Sequence, residues 1–252
     1  MIKIISILFP FLLLGGLELA LRLFGYGHDL RLFITAPGDD SYYVMNPDAS
    51  LKYFSDPQIA TTGNSELFKK VKDTSTLRVF ILGESTTIGY PYFHNGSFHR
   101  WLQYRLMHSC PGKRLEIINL SLTGVNSYTV EGFAKDLLPY QPDAVLIYTG
   151  HNEYYGCLGA GSTDKISGSP FVIHLILKLR KLRLTQLIAN TLNKLASWKH
   201  RNVEESGKTR MELMVAQQQI PYGSPMYERG IRQFTTNMDN TLRLLSEAHI
   251  PV

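Results

Sequence analysis

The chain is poor in cysteine, since only Cys110 and Cys157 occur among its 252 residues. Two cysteines cannot form the disulfide framework that stabilises small secreted domains, and their spacing does not indicate a metal site. The sequence also has no Gly-x-Gly-x-x-Gly pattern and no phosphate-loop lysine, so the common nucleotide-binding motifs are absent. The sequence therefore implies no metal and no cofactor.

A strong charge of either sign is absent as well. The formal net charge is +5, and no basic stripe alternates with stacking aromatic residues. This composition argues against nucleic acid as a partner. The length and the 44% hydrophobic content are sufficient for one complete α/β domain with additional segments. Nothing in the composition indicates an oligomeric state.

Charged residues are missing from one long stretch, Ile4 to Leu17. This length fits a signal-peptide core, but no small-x-small cleavage site follows, and apolar residues resume beyond Glu18. Glu18 and Arg22 are four residues apart and could pair on a helix. A helix over residues 2–24 would reach roughly 30 Å at about 1.5 Å per residue.

We therefore predict an uncleaved transmembrane anchor in residues 1–24, with a cleaved signal as the alternative. The positive charges at its two ends are closely balanced, and we favour the orientation that places the domain outside the cytoplasm. Residues 25–76 are rich in Gly, Pro, Asp and Tyr and show no helical period. We predict a lead-in tether there, with short extended pieces such as residues 51–54.

From residue 77 the pattern alternates between strand and helix, which predicts an α/β domain with a doubly wound parallel sheet. Three apolar runs read as strands, at residues 77–82, 115–120 and 144–149. Each run ends in a polar turn that contains glycine. Because the carboxyl ends of parallel strands meet at one edge of the sheet, we expect a site there.

Ser85 follows the first of these strands at a strand-to-helix turn, where Gly83 permits a tight bend. A serine hydroxyl in this position suits a nucleophile, because the N–H groups of the turn point at a developing anion. Acyl transfer also needs oxyanion donors and a base. The candidate donors are the backbone N–H groups of Ser85 and Gly124 and the side-chain amide of Asn152.

Each of these residues also has a purely structural interpretation. Gly124 could be a turn glycine, and Asn152 could cap a helix. Glu84 and Glu153 could be carboxylates at helix starts without a catalytic role. The functional interpretation is favoured because the polar turns occur in order, each directly after a predicted strand.

Three blocks of the sequence resemble the signature of the SGNH (GDSL-type) hydrolases. Gly83-Glu84-Ser85 is similar to the family's Gly-Asp-Ser block, with glutamate in place of aspartate. Residues 119–124 resemble the second block, whose glycine donates to the oxyanion, and residues 150–153 resemble the third, whose asparagine is the other donor. The resemblance covers residues 77–153 well and the rest loosely. It implies a flavodoxin-like sheet and serine ester chemistry on acyl or acetyl groups, often of carbohydrates, lipids or envelope polymers.

One signature of the family is missing, because no Asp-x-x-His occurs in the chain. In the family this histidine is the general base. Residues 250–252 resemble the beginning of a further strand, so we expect the domain to be incomplete at its C-terminus and the base to lie beyond Val252. The ring of His151 should point away from Asn152. We expect His94 and His99 to be surface or helix residues.

A helical insertion is predicted at about residues 154–226. Its main element is one basic amphipathic helix over residues 171–198, which could lie on a membrane, cover the site or pack on its own domain. A short helix near residues 211–219 and an amphipathic helix over residues 227–248 follow.

The resulting hypothesis is a membrane-anchored serine ester hydrolase that acts on acyl or acetyl esters through an acyl-enzyme. A sugar hydroxyl as acceptor in place of water would make the same fold an O-acyltransferase. The alternative from another class is a non-catalytic envelope module that binds glycans or a partner protein.

Overall fold

The computed structural model describes residues 2–162, 169–199 and 219–252. The predicted helix near residues 211–219 therefore lies almost entirely outside the described residues, as do other parts of the predicted insertion. The chain divides into two compact units: Met1–Leu30 with Gly168–Gly207, and Arg31–Ser167 with Lys208–Val252. The domain boundaries inferred from the sequence stay predictions.

The first unit contains three helices within the described residues: α1 (Ile2–Leu23), α5 (Pro170–Leu179) and α6 (Arg183–Lys199). The prediction of one continuous helix over residues 171–198 is wrong, because α5 ends at Leu179 and a separate helix, α6, begins at Arg183. The Glu18 carboxylate explains the break, since it accepts hydrogen bonds from the backbone N–H groups of Arg183 (3.0 Å) and Leu184 (2.8 Å). A carboxylate at this position stabilises the start of a new helix.

The helix predicted at the N-terminus is present as α1, and the expected pair between Glu18 and Arg22 forms at 2.7 Å. Across the described part of the chain, however, no helix combines the length and the apolar character needed to cross a membrane. The transmembrane part of the prediction is therefore not supported by the structure.

The second unit is built on a parallel sheet of β4 (Thr76–Gly83), β5 (Arg114–Asn119) and β6 (Ala144–Tyr148). The strand order is β5-β4-β6, with β4 parallel to both neighbours. This is the order in which flavodoxin-type sheets begin. The predicted α/β architecture with a parallel sheet is confirmed, whereas its flavodoxin-like extension to further strands stays a prediction.

Both faces of this sheet are covered, because alternate residues of a strand point to opposite sides. On one face Val79 and Ile81 form a cluster with Ile117, against which Leu102 and Leu106 of α3 (Phe98–Ser109) pack. On the other face the fully buried ring of Phe80 meets two aromatic rings that precede the sheet in the chain. The helices α4 (Ser127–Leu137) and α7 (Pro225–Glu247) pack on each other in the same unit.

The lead-in forms a small antiparallel sheet in the order β1-β2-β3, from β1 (Phe33–Ala36), β2 (Asp39–Met45) and β3 (Phe68–Lys69). The expectation of an extended segment at residues 51–54 is wrong, because Pro47–Lys52 is a 3₁₀ helix. Asn46 begins this helix by accepting a hydrogen bond from the N–H of Asp48, and the fixed φ of Pro47 suits its first turn.

Arg78 is a charged residue inside the otherwise apolar strand β4, and it is 1% exposed. Its guanidinium donates to Glu116 Oε2 (2.7 Å) and to the backbone oxygens of Tyr140 (2.6 Å) and Lys69 (2.7 Å). A buried cation is tolerated only when it is paired and hydrogen-bonded in this way. Arg78 therefore connects the parallel sheet to β3 of the lead-in.

The last residues run beside the edge strand β6. The backbone N–H of Val145 donates to the carbonyl oxygen of Pro251 at 2.9 Å. The contact places Pro251 beside β6, but residues 250–252 are not a strand in the structure, so the expectation that they begin a further strand stays a prediction.

Candidate active site at the carboxyl edge of the sheet

Ser85 is the first residue of the short helix α2 (Ser85–Ile88), which begins two residues after β4 ends at Gly83. The turn between them is packed too closely for any side chain at Gly83. A Cβ atom there would lie 2.3 Å from the carbonyl oxygen of Tyr148 and 2.3 Å from Thr87 Oγ1. The strand-to-helix turn that presents Ser85 therefore depends on glycine at this position.

Glu84 connects the turn of Ser85 to the turn that follows β6. It is completely buried, and its carboxylate accepts three hydrogen bonds. The donors are the hydroxyl of Thr149 (2.5 Å) and the backbone N–H groups of Gly150 (2.8 Å) and Asn152 (2.8 Å). Glu84, which directly precedes Ser85, thus fixes the backbone of Asn152, the candidate oxyanion donor.

Asn152 is 4% exposed, and its side-chain Nδ2 has no hydrogen-bond partner among the described residues. Its carbonyl oxygen accepts from Gly156 at 2.7 Å, so the backbone on both sides of the side chain is fixed. A buried amide donor without a partner costs roughly 1–3 kcal/mol. A donor kept free at this cost is what an oxyanion site requires before substrate binds.

Gly124 is buried and has a φ of +71°, a conformation that favours glycine. The segment that leads from β5 to Gly124 lies beside the turn of Ser85, because the N–H of Leu122 donates to the carbonyl oxygen of Gly83 at 3.4 Å. The carbonyl oxygen of Gly124 accepts from the N–H of Cys157 at 2.8 Å. Backbone contacts therefore bring the segments of Ser85, Gly124 and Asn152 together at one edge of the sheet.

Glu153 lies next to Asn152 and is 4% exposed. Its carboxylate accepts hydrogen bonds from the Ser127 hydroxyl (2.8 Å), from the Ser127 N–H at the start of α4 (3.2 Å) and from Gln233 Nε2 of α7 (2.5 Å). Burial raises the pKa of Glu153 above the ordinary glutamate value, although these hydrogen bonds oppose the increase. The contacts agree with the interpretation of Glu153 as a carboxylate at a helix start.

His151 directly precedes the buried Asn152, and its own side chain is 39% exposed. Its Nδ1 is 3.8 Å from Glu84 Oε2, and its ring packs edge-on against Tyr148 at 4.9 Å. His99 is a helix residue, as expected, since it lies in the first turn of α3, and it is completely buried. No histidine of the described residues has a hydrogen bond to Ser85 Oγ.

Exposed aromatic side chains follow the turn of Ser85 directly. Tyr90 is 61% exposed and Tyr92 is 77% exposed, and the ring of Tyr90 packs edge-on against Phe93 at 5.6 Å. Such rings offer apolar faces to an acyl chain or a sugar ring. These aromatic residues were not predicted from the sequence to lie near a site.

The hydrogen bonds from Glu84 to the turn after β6 were also not predicted from the sequence. The available signal was its position, because a carboxylate that directly follows a fully buried strand must find donors within the fold. The residues that supply these donors are 65 to 68 positions further along the chain, beyond the reach of any local pattern.

No protein-family model and no curated protein matches this chain. Among solved structures, the chain is similar to "TesA", with 24% identity over 31% of this chain and 42% of that chain and a TM-score of 0.27. A second is "LAE5, an alpha/beta hydrolase enzyme from the metagenome of Lake Arreo, Spain", with 14% identity over 71% of this chain and 76% of that chain and a TM-score of 0.34. The chain therefore spans less than half of TesA, and neither likeness is close enough to establish a shared activity.

Proposed function

We propose that this chain belongs to a serine ester hydrolase of the SGNH type, which acts on acyl or acetyl esters. The observation that carries the proposal is the buried, unpartnered amide of Asn152, held through its backbone by the residue that precedes Ser85. A fold that needed Asn152 only as a helix cap would use its side chain for a backbone hydrogen bond. The motif resemblance of residues 83–85, 119–124 and 150–153 agrees with this assignment.

In the proposed reaction Ser85 Oγ attacks the ester carbonyl carbon and gives its proton to a base. The new C–O bond produces a tetrahedral oxyanion, which accepts hydrogen bonds from the N–H groups of Ser85 and Gly124 and from Asn152 Nδ2. When the intermediate collapses, the ester C–O bond breaks and the leaving alkoxide takes the proton from the base. Water then attacks the acyl-enzyme, which releases the acid and restores Ser85.

The base is either His151 or a histidine outside the described residues. His151 lies next to Asn152 in the chain, and its Nδ1 is 3.8 Å from Glu84 Oε2, a contact that would stabilise an imidazolium. Substitution of His151 by alanine separates the two cases. Loss of Ser85 reactivity in this variant assigns the role to His151, and full retention assigns it elsewhere.

The first test is labelling of the full-length protein with a fluorophosphonate probe. We expect labelling of the wild-type protein, complete loss in Ser85→Ala, and no change in Ser246→Ala, a control serine that is exposed on α7. We expect Asn152→Ala to lower the rate of ester hydrolysis by roughly 10²–10³-fold, as for the loss of one oxyanion donor elsewhere.

Two results would contradict the proposal. Labelling that persists in Ser85→Ala would place the reactive serine elsewhere. A folded protein that is never labelled, but binds glycans or a partner protein, would support the non-catalytic alternative.

We further propose that α1 holds the protein at a membrane, with the second unit outside the cytoplasm. The support is the exposure of apolar side chains along α1, including Phe11 (68%) and Leu12 (72%). In vesicle flotation we expect the wild-type protein to float and a Phe11→Asp/Leu12→Asp variant to float less. Equal flotation of both proteins would contradict a role of these side chains.

A further inference from the structure

Three ligand-type side chains from separate parts of the second unit meet at one point. They are Glu66 from the lead-in, His94 from the 3₁₀ turn after α2, and His99 from the first turn of α3. His99 Nε2 lies 2.9 Å and His94 Nδ1 lies 3.3 Å from the same atom, Glu66 Oε1. The potential ligand atoms of all three residues lie within 4.8 Å of one another.

The protonation of His99 follows from its buried neighbours. Ser97 Oγ lies 2.7 Å from the carbonyl oxygen of Thr87, and two oxygens at this distance need a proton between them, which only the serine can supply. The contact of 2.6 Å between Ser97 Oγ and His99 Nδ1 therefore uses a proton of the histidine. In the neutral ring, His99 Nε2 is then a bare acceptor.

His99 Nε2 without a proton lies 2.9 Å from Glu66 Oε1. Both atoms then carry lone pairs, so a proton or a cation between them is needed to hold them this close. Neither Nε2 of His99 nor either oxygen of Glu66 has a hydrogen-bond partner within the described residues, and all three atoms are buried. An additional proton would satisfy the pair of Glu66 and His99. A metal ion would satisfy the same atoms and would also take the imidazole of His94, whose Nδ1 lies 3.3 Å from the same oxygen, as a ligand.

We propose that Glu66, His94 and His99 form a binding site for a divalent transition-metal ion of the Zn²⁺ class. Two imidazole nitrogens and one carboxylate are typical protein ligands of zinc. Ligands at roughly 2.0–2.1 Å from a tetrahedral ion are about 3.3 Å apart, which is close to the two contacts observed. The side chain of His94 is 46% exposed, so a fourth position is open to water or to a small ligand.

The site would also stabilise the turn of the candidate nucleophile. Ser97 links His99 to the carbonyl oxygen of Thr87, which lies in α2 two residues after Ser85. Asn119 Nδ2, at the end of β5, donates to the same oxygen at 2.8 Å. Outer contacts of this kind orient a metal-binding histidine and fix its tautomer. The inference is independent of the proposed esterase activity, since the cluster lies outside Ser85, Gly124 and Asn152.

The test is Zn²⁺ titration of the full chain by calorimetry, after treatment with a chelator and without a polyhistidine tag. We expect one bound ion per chain, and at least roughly tenfold weaker binding in His94→Gln and in Glu66→Gln. Loss of a residue that only hydrogen-bonds to a metal ligand already lowers metal affinity by about 10–100-fold. The control is His108→Gln, an exposed histidine of α3, which should bind as the wild type does. With Co²⁺, the visible bands of a tetrahedral ion should appear in the wild type and weaken in His94→Gln.

His94 is exposed, so its substitution should leave the fold intact, and circular dichroism checks this for each variant. Wild-type protein that binds no Zn²⁺ would overturn the proposal and identify the cluster as a protonated ion pair. Binding that is unchanged in both His94→Gln and Glu66→Gln would also overturn it, because the ion would then occupy another site.

Discussion

Glu84 shows how one buried carboxylate organises the candidate site. It precedes Ser85 in the chain, yet its hydrogen bonds are all made to the turn after β6. A charged group without solvent is stable only when its oxygens have donors, and here three donors converge on it. We therefore interpret Glu84 as a positioning residue that aligns Asn152 with the turn of Ser85.

We expect Glu84→Ala to lower the free energy of unfolding by about 3 kcal/mol, because three donors would lose their acceptor at roughly 1–3 kcal/mol each, partly offset by local relaxation. Urea denaturation measures this loss. Glu84→Gln keeps the shape and one oxygen, so it should fall between alanine and wild type. The exposed Glu247→Ala is the control, with a change within about 0.5 kcal/mol.

Labelling at Ser85 distinguishes positioning from simple stabilisation. If Glu84 orients Asn152, the folded Glu84→Gln protein should react more slowly with the fluorophosphonate probe even at temperatures where it is fully native. Wild-type reactivity in a folded Glu84→Gln protein would show that the carboxylate serves stability alone.

At the scale of elements, the close approach of β4 and β6 is set by Gly83. Thr87 Oγ1 of α2 donates to the carbonyl oxygen of Tyr148 in β6 at 2.7 Å. A Cβ atom on Gly83 would lie 2.3 Å from each of these two oxygens. One methyl group at this point must push α2 away from the sheet. The strand, the turn and the short helix therefore form one packed unit.

We expect Gly83→Ala to destabilise the protein by about 1–3 kcal/mol, the usual cost of overpacking, and to reduce labelling at Ser85. Gly112→Ala is a matched control, because a Cβ atom there would meet nothing within 4 Å and its φ is not in the left-handed region. Both variants are compared by urea denaturation. Equal stability of the two variants would show that the turn tolerates the shift.

The elements that the sequence predicted correctly are those with a strong local pattern. The strands β4 and β5 read as apolar runs because most of their residues are buried on both faces. The strand β6 shows the same apolar pattern, although Val145 is its one buried residue. The break between α5 and α6 had no such signal, since the Glu18 carboxylate that caps α6 is 165 residues away in the chain. The small sheet of the lead-in and the cluster at Glu66 depend in the same way on distant partners.

Polar partners were harder to predict than apolar ones for a physical reason. An apolar side chain needs only burial, which periodicity encodes, whereas a buried charge needs particular donors at particular distances. Arg78 illustrates this difference, because its position in β4 was correctly predicted but its three acceptors were not. For the same reason the segments of Ser85, Gly124 and Asn152 were expected to converge, but the role of Glu84 between two of them was not foreseen.

At the scale of the second unit, Glu153 joins the turn after β6 to two helices. Its carboxylate binds Ser127 at the start of α4 and Gln233 of α7, and Asn237 Nδ2 of α7 donates to the same serine hydroxyl at 2.8 Å. These side chains are all buried. The polar network therefore determines how α4 and α7 pack beside the candidate site, and its charge depends on pH.

The pKa of Glu153 is raised in the folded protein because burial disfavours its ionised form, so its contribution to stability should decline as pH rises. Between the ordinary glutamate pKa, about 4.3, and the raised value, the folded state retains a proton that the unfolded chain has released. The stability of the wild type relative to Glu153→Gln should therefore fall across this range and level off above it, by about 1.4 kcal/mol for each unit of the increase. Urea denaturation of both proteins at a series of pH values measures this difference, with Glu247→Gln as an exposed control that should show little pH dependence. A difference that stays constant or grows with pH would mean that the hydrogen bonds from Ser127 and Gln233 outweigh the effect of burial.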